Sequence, residues 1–416
     1  MREHILTSAD NTKQMLKTNY LPGIFLLLFT PTIVAAQSNS SSIINSLNKV
    51  IRPIETLKAD SSFTDINFLR ESLKDRELIA LGEVSHGTAE VFQYKDRLVR
   101  FMVTELGYKS IAFEADFIAI ENIDNFITGK ADSITYVAGT AIMQSNTPMI
   151  QWLKSYNNGK SDSDMVHIYG LEVRNYTNII KKLLMVGPEI EIADKKLLES
   201  ILERPFNSNL DNQDIKRLNA IISRLQKLDL TDLNKQYVGL FRQFVNNGTQ
   251  GSRASRDVAM ADNAAWIKDR TKGHKLIVWL HNGHIAKTQL YNYLPMGFHL
   301  NKKYGSKHYV IASDFNSGKA RVSVFVAKNK PMLPFQPYYF PEAGSEKWYE
   351  YLFGKTQYKN FILDLKSASD DPILADFLKR PRNMRMVGSS QIPDTKKLSL
   401  SDNFDMIVYF DRTNSI

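Results

Sequence analysis

The sequence predicts an α/β fold. It has a mostly parallel central sheet flanked by helices, with a helical insertion capping the edge where a site would lie. Three observations carry that prediction. Short apolar runs recur at 77–82, 110–113, 165–169, 275–280, 309–313, 321–327, 360–363 and 406–410. Most are near-continuous rather than alternating, as strands buried on both faces read. Amphipathic helical stretches separate several of them, and strand, helix and strand in that order imply parallel crossovers. Finally, residues 176–262 are rich in Leu, Ile, Lys, Asp and Asn. They show helical periodicity and no strand pattern, so they read as an insertion.

The N-terminal stretch is separate. Lys13 and Lys17 precede an apolar run containing Ile24-Phe25-Leu26-Leu27-Leu28-Phe29 and ending Val34-Ala35-Ala36-Gln37. A basic stretch, an apolar centre and small residues at the end describe a secretory signal peptide over 1–36, with Met1 or Met15 as the start. The run is short for a membrane span, and Pro22 and Pro31 lie inside it. An uncleaved anchor is the other reading. The expected location is therefore outside the cytoplasm, in the periplasm, with no stable membrane association after cleavage. Residues 37–60 are Ser/Asn-rich and then helix-like. The core divides into 37–175 and 263–416, on either side of the insertion.

The helix at 90–106 places Val91, Phe92, Leu98, Val99, Met102 and Val103 along one side. Within the insertion, 179–186, 195–202, 214–228 and 233–245 read as helices. There are no cysteines, so disulfides and thiolate metal sites are excluded. The formal charge is +9, but the basic residues are scattered and do not alternate with aromatics. Nucleic-acid binding is not expected.

In an open parallel sheet, ligands bind beyond the carboxyl ends of the strands. The first such end reads Gly82-Glu83-Val84-Ser85-His86-Gly87. A carboxylate three residues from a histidine fixes its tautomer and raises its basicity, although a capping turn with a surface histidine looks the same. The second ends in Glu114-Ala115-Asp116, either site acids or helix-start acids. Glu172 follows the third, with Arg174 beside it as an available ion-pair partner. The fourth ends His281-Asn282-Gly283-His284. Of eight histidines, His86, His281 and His284 fall at two strand ends of similar design.

Two chemistries fit this set. One is metal-free hydrolysis with a histidine base and fixed donors for an oxyanion. The other is a divalent metal on His and Glu with an activated water. The chain has no H-E-x-x-H, no G-x-S-x-G, no Walker A pattern and no G-x-G-x-x-G, so zincin, serine-hydrolase and nucleotide-binding readings lack support. A periplasmic binding protein for a bulky apolar ligand would use the same cleft.

The six residues 82–87 resemble the G-E-x-x-H-G motif of the erythromycin esterase family. The likeness continues through Glu90, Gly107 and Phe113-Glu114. It resumes at Arg256-Asp257, Met260, Asn263 and His281-Asn282-Gly283-His284, and reaches Phe404-Asp405-Met406-Ile407. It spans roughly 65–411. The resemblance implies a carboxylic ester hydrolase that opens the macrolactone of erythromycin-like antibiotics and so confers resistance, without metal or cofactor. His86 would be the general base, Glu83 and Glu114 would orient the histidines and water, and His281 and His284 would hold the carbonyl or pass a proton. Nine positions after the motif histidine, where the family often has arginine, stands Lys95, with Arg97 close by. Lysine keeps the charge but loses the planar fork. Lys95, Arg97 and Glu172 are the expected substrate-binding residues.

Overall fold

Leu78 and Ala80 of the strand Leu78–Glu83 face one apolar cluster, while Ile79 and Leu81 face another. Leu276, Val278 and Leu280 sort from Ile277 and Trp279 in the same way. Side chains alternate across a strand, so a sheet with a core on each face requires apolar residues at every position. That is why the runs read as continuous. The computed structural model describes residues 30–416 apart from 137–139, 175, 186–189, 205–209, 249–252 and 393–395. Most of the expected signal peptide lies outside the described residues. No described helix is long and apolar enough to cross a membrane.

The strands are β1 (Arg52–Pro53), β2 (Leu78–Glu83), β3 (Ser110–Asp116), β4 (His167–Glu172), β5 (Leu276–His281), β6 (His308–Val324), β7 (Leu333–Phe340) and β8 (Asn360–Asp364). A short pair, β9 (Arg382–Met384) and β10 (Lys396–Leu398), stands apart, and β11 (Met406–Thr413) completes the set. The nine-stranded sheet runs β1-β8-β11-β6-β2-β5-β3-β4, with β7 on β6. β11, β6, β2, β5, β3 and β4 are parallel, while β8, β1 and β7 pair antiparallel with their neighbours. The mixed α/β architecture with a mostly parallel sheet is the one the sequence predicts.

Two differences stand out. The runs at 309–313 and 321–327 belong largely to one long strand, β6, whose far half leaves the parallel sheet to form a hairpin with β7. β7 itself carries no apolar-run signature. Seven of its eight positions are open to solvent to some degree, with Pro334 and Pro337 inside it. Proline is tolerated there because β7 is an edge strand.

The helix Ala89–Leu106 covers one face, burying Val91, Leu98, Val99, Phe101 and Met102, and stops at Gly107 in the left-handed conformation. Each such burial contributes roughly 1.5–3 kcal/mol. The helices Tyr176–Met185, Ile192–Leu202, Asn212–Leu225 and Asp232–Gly248 add Ile179, Leu198, Leu218 and Phe241 to the opposite cluster. The next helix, Arg253–Arg270, returns to the sheet. Its buried Asn263 donates to the Leu171 carbonyl at 2.8 Å, fixing this helix to the end of β4.

Candidate active site

Parallel register brings the strand ends together. Glu83 is opposite His281, and Asp116 is opposite Glu172. Glu83 is fully buried, a costly place for a carboxylate unless it is satisfied. Its oxygens lie 2.6 Å from His86 Nδ1, 2.8 Å from Lys95 Nζ and 2.6 Å from Trp279 Nε1. Burial alone would raise its pKa. Lys95 and His86 outweigh that and hold the carboxyl below the usual range. An ionised Glu83 accepts the proton of Nδ1, so Nε2 carries the imidazole lone pair. A quarter of the His86 side chain is open to the cleft. Burial lowers its pKa, but Glu114 and Glu83 reverse this and raise it above the ordinary 6.5.

The turn around His86 is clamped from two sides. Gly388, at φ +61°, donates to the Val84 carbonyl at 2.9 Å and lies beside Ser85. A side chain at Gly87 would strike the Arg321 backbone at 2.3–2.7 Å, and the Arg321 amide donates to the Gly87 carbonyl at 3.0 Å. The motif glycine thus lets the far half of β6 pass directly against the histidine turn.

A second network fills the other half. Arg256 donates through Nε to Glu172 at 2.5 Å, through Nη2 to Glu114 at 2.9 Å, and through Nη1 to His284 Nε2 at 3.1 Å. His284 Nδ1 lies 2.8 Å from the buried carboxylate of Asp257. Its proton therefore sits on Nδ1, and its lone pair faces Arg256. Arg174 adds a bond from Nε to Glu172 at 2.6 Å. Against the penalty of burial, His284, His86, Arg256 and Arg174 hold Glu114 well below the carboxylate range. Against its own burial, Arg256 and Arg174 lower the pKa of Glu172 from its ordinary value.

The expected site residues therefore sort into groups. His86, Glu114, His281 and His284 line one cleft of about 540 Å³, together with Arg256. His281 accepts from the Gly283 amide at Nδ1 and sits 3.1 Å from the Val84 carbonyl at Nε2, so both nitrogens serve the backbone. Burial pushes its pKa down to about 4. Glu172 is buried and faces the two arginines. Lys95 does not reach the cleft: it lies beneath Glu83, its Nζ 4.1 Å above the Trp279 ring, with burial lowering its pKa to about 8. Arg97 is a correction. It is fully buried elsewhere, forking onto Asp65 at 2.6 and 3.0 Å and onto the Ser62 carbonyl at 2.6 Å. Arg256, Asp257, Arg174 and Trp279 were not expected as site residues. Arg256-Asp257 carried a signal as part of the family pattern, and Arg174 as the neighbouring ion-pair partner of Glu172, which it is.

The erythromycin esterase family model matches residues 103–413, beginning near the end of the helix that follows the His86 turn. Erythromycin esterase type II of Escherichia coli is 24% identical over 318 residues, covering 64% of this chain and 75% of that protein. The putative hydrolase YbfO of Bacillus subtilis is 22% identical over 274 residues, covering 55% and 60%. Among solved structures, a succinoglycan biosynthesis protein shares the fold with a TM-score of 0.80 at 21% identity, covering 91% of this chain and 98% of that one. The erythromycin esterase EreC, solved as a mutant in its open conformation, gives 0.66 at 17% identity, covering 87% and 98%. With a family match across most of its length, the chain belongs to the erythromycin esterase family.

Proposed function

We propose that the protein is an exported hydrolase that opens carboxylic esters, the lactones of erythromycin-like macrolides among them, by metal-free activation of water. The observation that carries this reading is the Glu83–His86 pair, 2.6 Å apart, with Nε2 left as a base toward the cleft. Water gives a proton to His86 Nε2 as its oxygen bonds to the ester carbonyl carbon. The oxyanion is met by the Arg256 guanidinium, which its acidic partners and His284 hold in place. When the tetrahedral species collapses, the C–O bond to the alcohol breaks and the leaving oxygen takes the proton back from His86.

The metal alternative is less well supported by the same geometry. Glu114 and Glu172 are neutralised by Arg256 and Arg174, so a dication would have to displace or sit beside two guanidiniums. The test is incubation of the purified chain with erythromycin and with tylosin, following the gain of one water by mass spectrometry. Hydrolysis that survives a chelator and vanishes in His86→Ala supports the proposal. Hydrolysis abolished by the chelator overturns its metal-free part, and no hydrolysis of either compound removes macrolides as substrates. Export is tested separately, by N-terminal sequencing of the protein recovered from the periplasm.

A further inference from the structure

We infer that the substrate carries an anionic group on an apolar body, and that Arg321 and Arg174 receive the anion in a second lobe of the site. This rests on the ester-hydrolase reading and narrows its substrate class. A separate cavity of about 330 Å³ shares His86 and Glu114 with the main cleft. Arg174, Arg321, Ile142 and Phe335 line it.

The acids near the reacting centre each face a basic side chain. Glu83 faces Lys95, Asp257 faces His284, and Glu114 and Glu172 face Arg256 and Arg174. Arg321 has no such counterpart. Among the described residues it pairs with no carboxylate, although Ile416 lies in the same lobe. Its Nε donates to the Phe335 carbonyl at 3.3 Å, which aims the guanidinium and leaves both Nη groups open. Arg174 engages Nε and Nη2 with Glu172 and the Glu114 carbonyl, leaving Nη1. Two guanidinium edges in one lobe suit a carboxylate or a phosphate, and bind it through charge-assisted hydrogen bonds. Ile142 and Phe335 supply apolar wall beside them. Gly87 ties the device to the base, because its missing side chain lets the Arg321 backbone lie against the His86 turn. A ligand with a cation at that position would meet the two guanidiniums instead.

The experiment compares two activated esters of equal chain length, p-nitrophenyl hexanoate and the mono-p-nitrophenyl ester of adipic acid. The wild type is expected to favour the anionic ester by about tenfold in kcat/KM, through KM. The preference should shrink as ionic strength rises. In Arg321→Gln the ratio between the two esters collapses toward one, and Arg321→Lys restores part of it. Equal use of both esters by the wild type, or a ratio unmoved in Arg321→Gln, overturns the inference. Adipamic acid and hexanamide are titrated in parallel by calorimetry. If neither ester is hydrolysed, the hydrolase reading fails, while tighter binding of adipamic acid that is lost in Arg321→Gln still supports the anion lobe. Equal binding of the two amides rejects it.

Discussion

The ends of β2 and β5 look alike in sequence and behave differently in space. Glu83 and His86 stand three apart after one strand, and His281 and His284 stand three apart after its neighbour. At the β2 end, one nitrogen of His86 is held by Glu83 and the other is left for chemistry. At the β5 end, His281 has both nitrogens on the backbone, and His284 has its own between Asp257 and Arg256. Histidines at equivalent places in a fold are thus separated by what remains unbonded. One is placed to move a proton, one holds a turn, and one holds an arginine.

The largest effect should come from testing that separation directly. His86→Ala is expected to lower kcat/KM by about 10³-fold, the usual worth of a positioned base, with little change in melting temperature. His281→Asn is expected to cost about 1–3 kcal/mol of stability, as one buried backbone contact is lost. Its activity loss should be at least about tenfold smaller than that of His86→Ala. Parallel kinetics and thermal unfolding check both. An equal kinetic loss in His281→Asn, without destabilisation, would break the comparison.

Next is Glu83→Gln, expected to cost about 10²-fold in kcat/KM. It also moves the pH profile in a defined direction. His86 works as a base when neutral, and its pKa stands above 6.5, with Glu114 and Glu83 overcoming the opposing effect of burial. Activity therefore rises with pH through that raised value. Removing the Glu83 charge should shift the acid limb toward lower pH even as the maximum rate falls. An acid limb that stays in place would detach the limb from His86.

The β5 end has its own pH signature, in stability. Folded His281 protonates only near pH 4, whereas its ordinary value is 6.5. The stability this group contributes is fully present above pH 6.5 and is lost as pH falls toward 4, because the unfolded chain binds the proton first. His308 behaves likewise down to about 3, driven by burial, and neither of its ring nitrogens has a partner among the described residues. Each could account for on the order of 3 kcal/mol across its window. His308→Phe should flatten the acid side of the stability profile in urea titrations between pH 4 and 7. An unchanged profile would place the acid sensitivity elsewhere.

How much of this could be read in advance follows from distance along the chain. Glu83 and His86 are local, so their pairing is visible as spacing. The strands are visible because both faces are apolar. Arg256 is not, since it comes from a helix that begins inside the expected insertion and meets Glu114 and Glu172 only through the sheet. β7 hides for a different reason. It is exposed, proline-broken and held by one neighbour, so it has no period of its own. Lys95 and Arg97 held a usable warning. Two residues on a helix that stand two apart point to different sides, so both could not face one cleft.

That warning yields the prediction with the smallest kinetic effect. Lys95 supports Glu83 from below, so Lys95→Met should lower activity through His86. Arg97 contacts nothing in either lobe. Its planar fork is matched to Asp65, and Phe63 lies 5.8 Å from the guanidinium. Arg97→Lys keeps the charge but loses the fork. It should therefore destabilise the protein by about 1–3 kcal/mol, while KM and the acid limb stay at wild-type values. A change in KM for any ester would return Arg97 to the substrate. A stability loss alone would show that, two residues apart on one helix, Lys95 serves the chemistry and Arg97 the packing of the segment around Asp65.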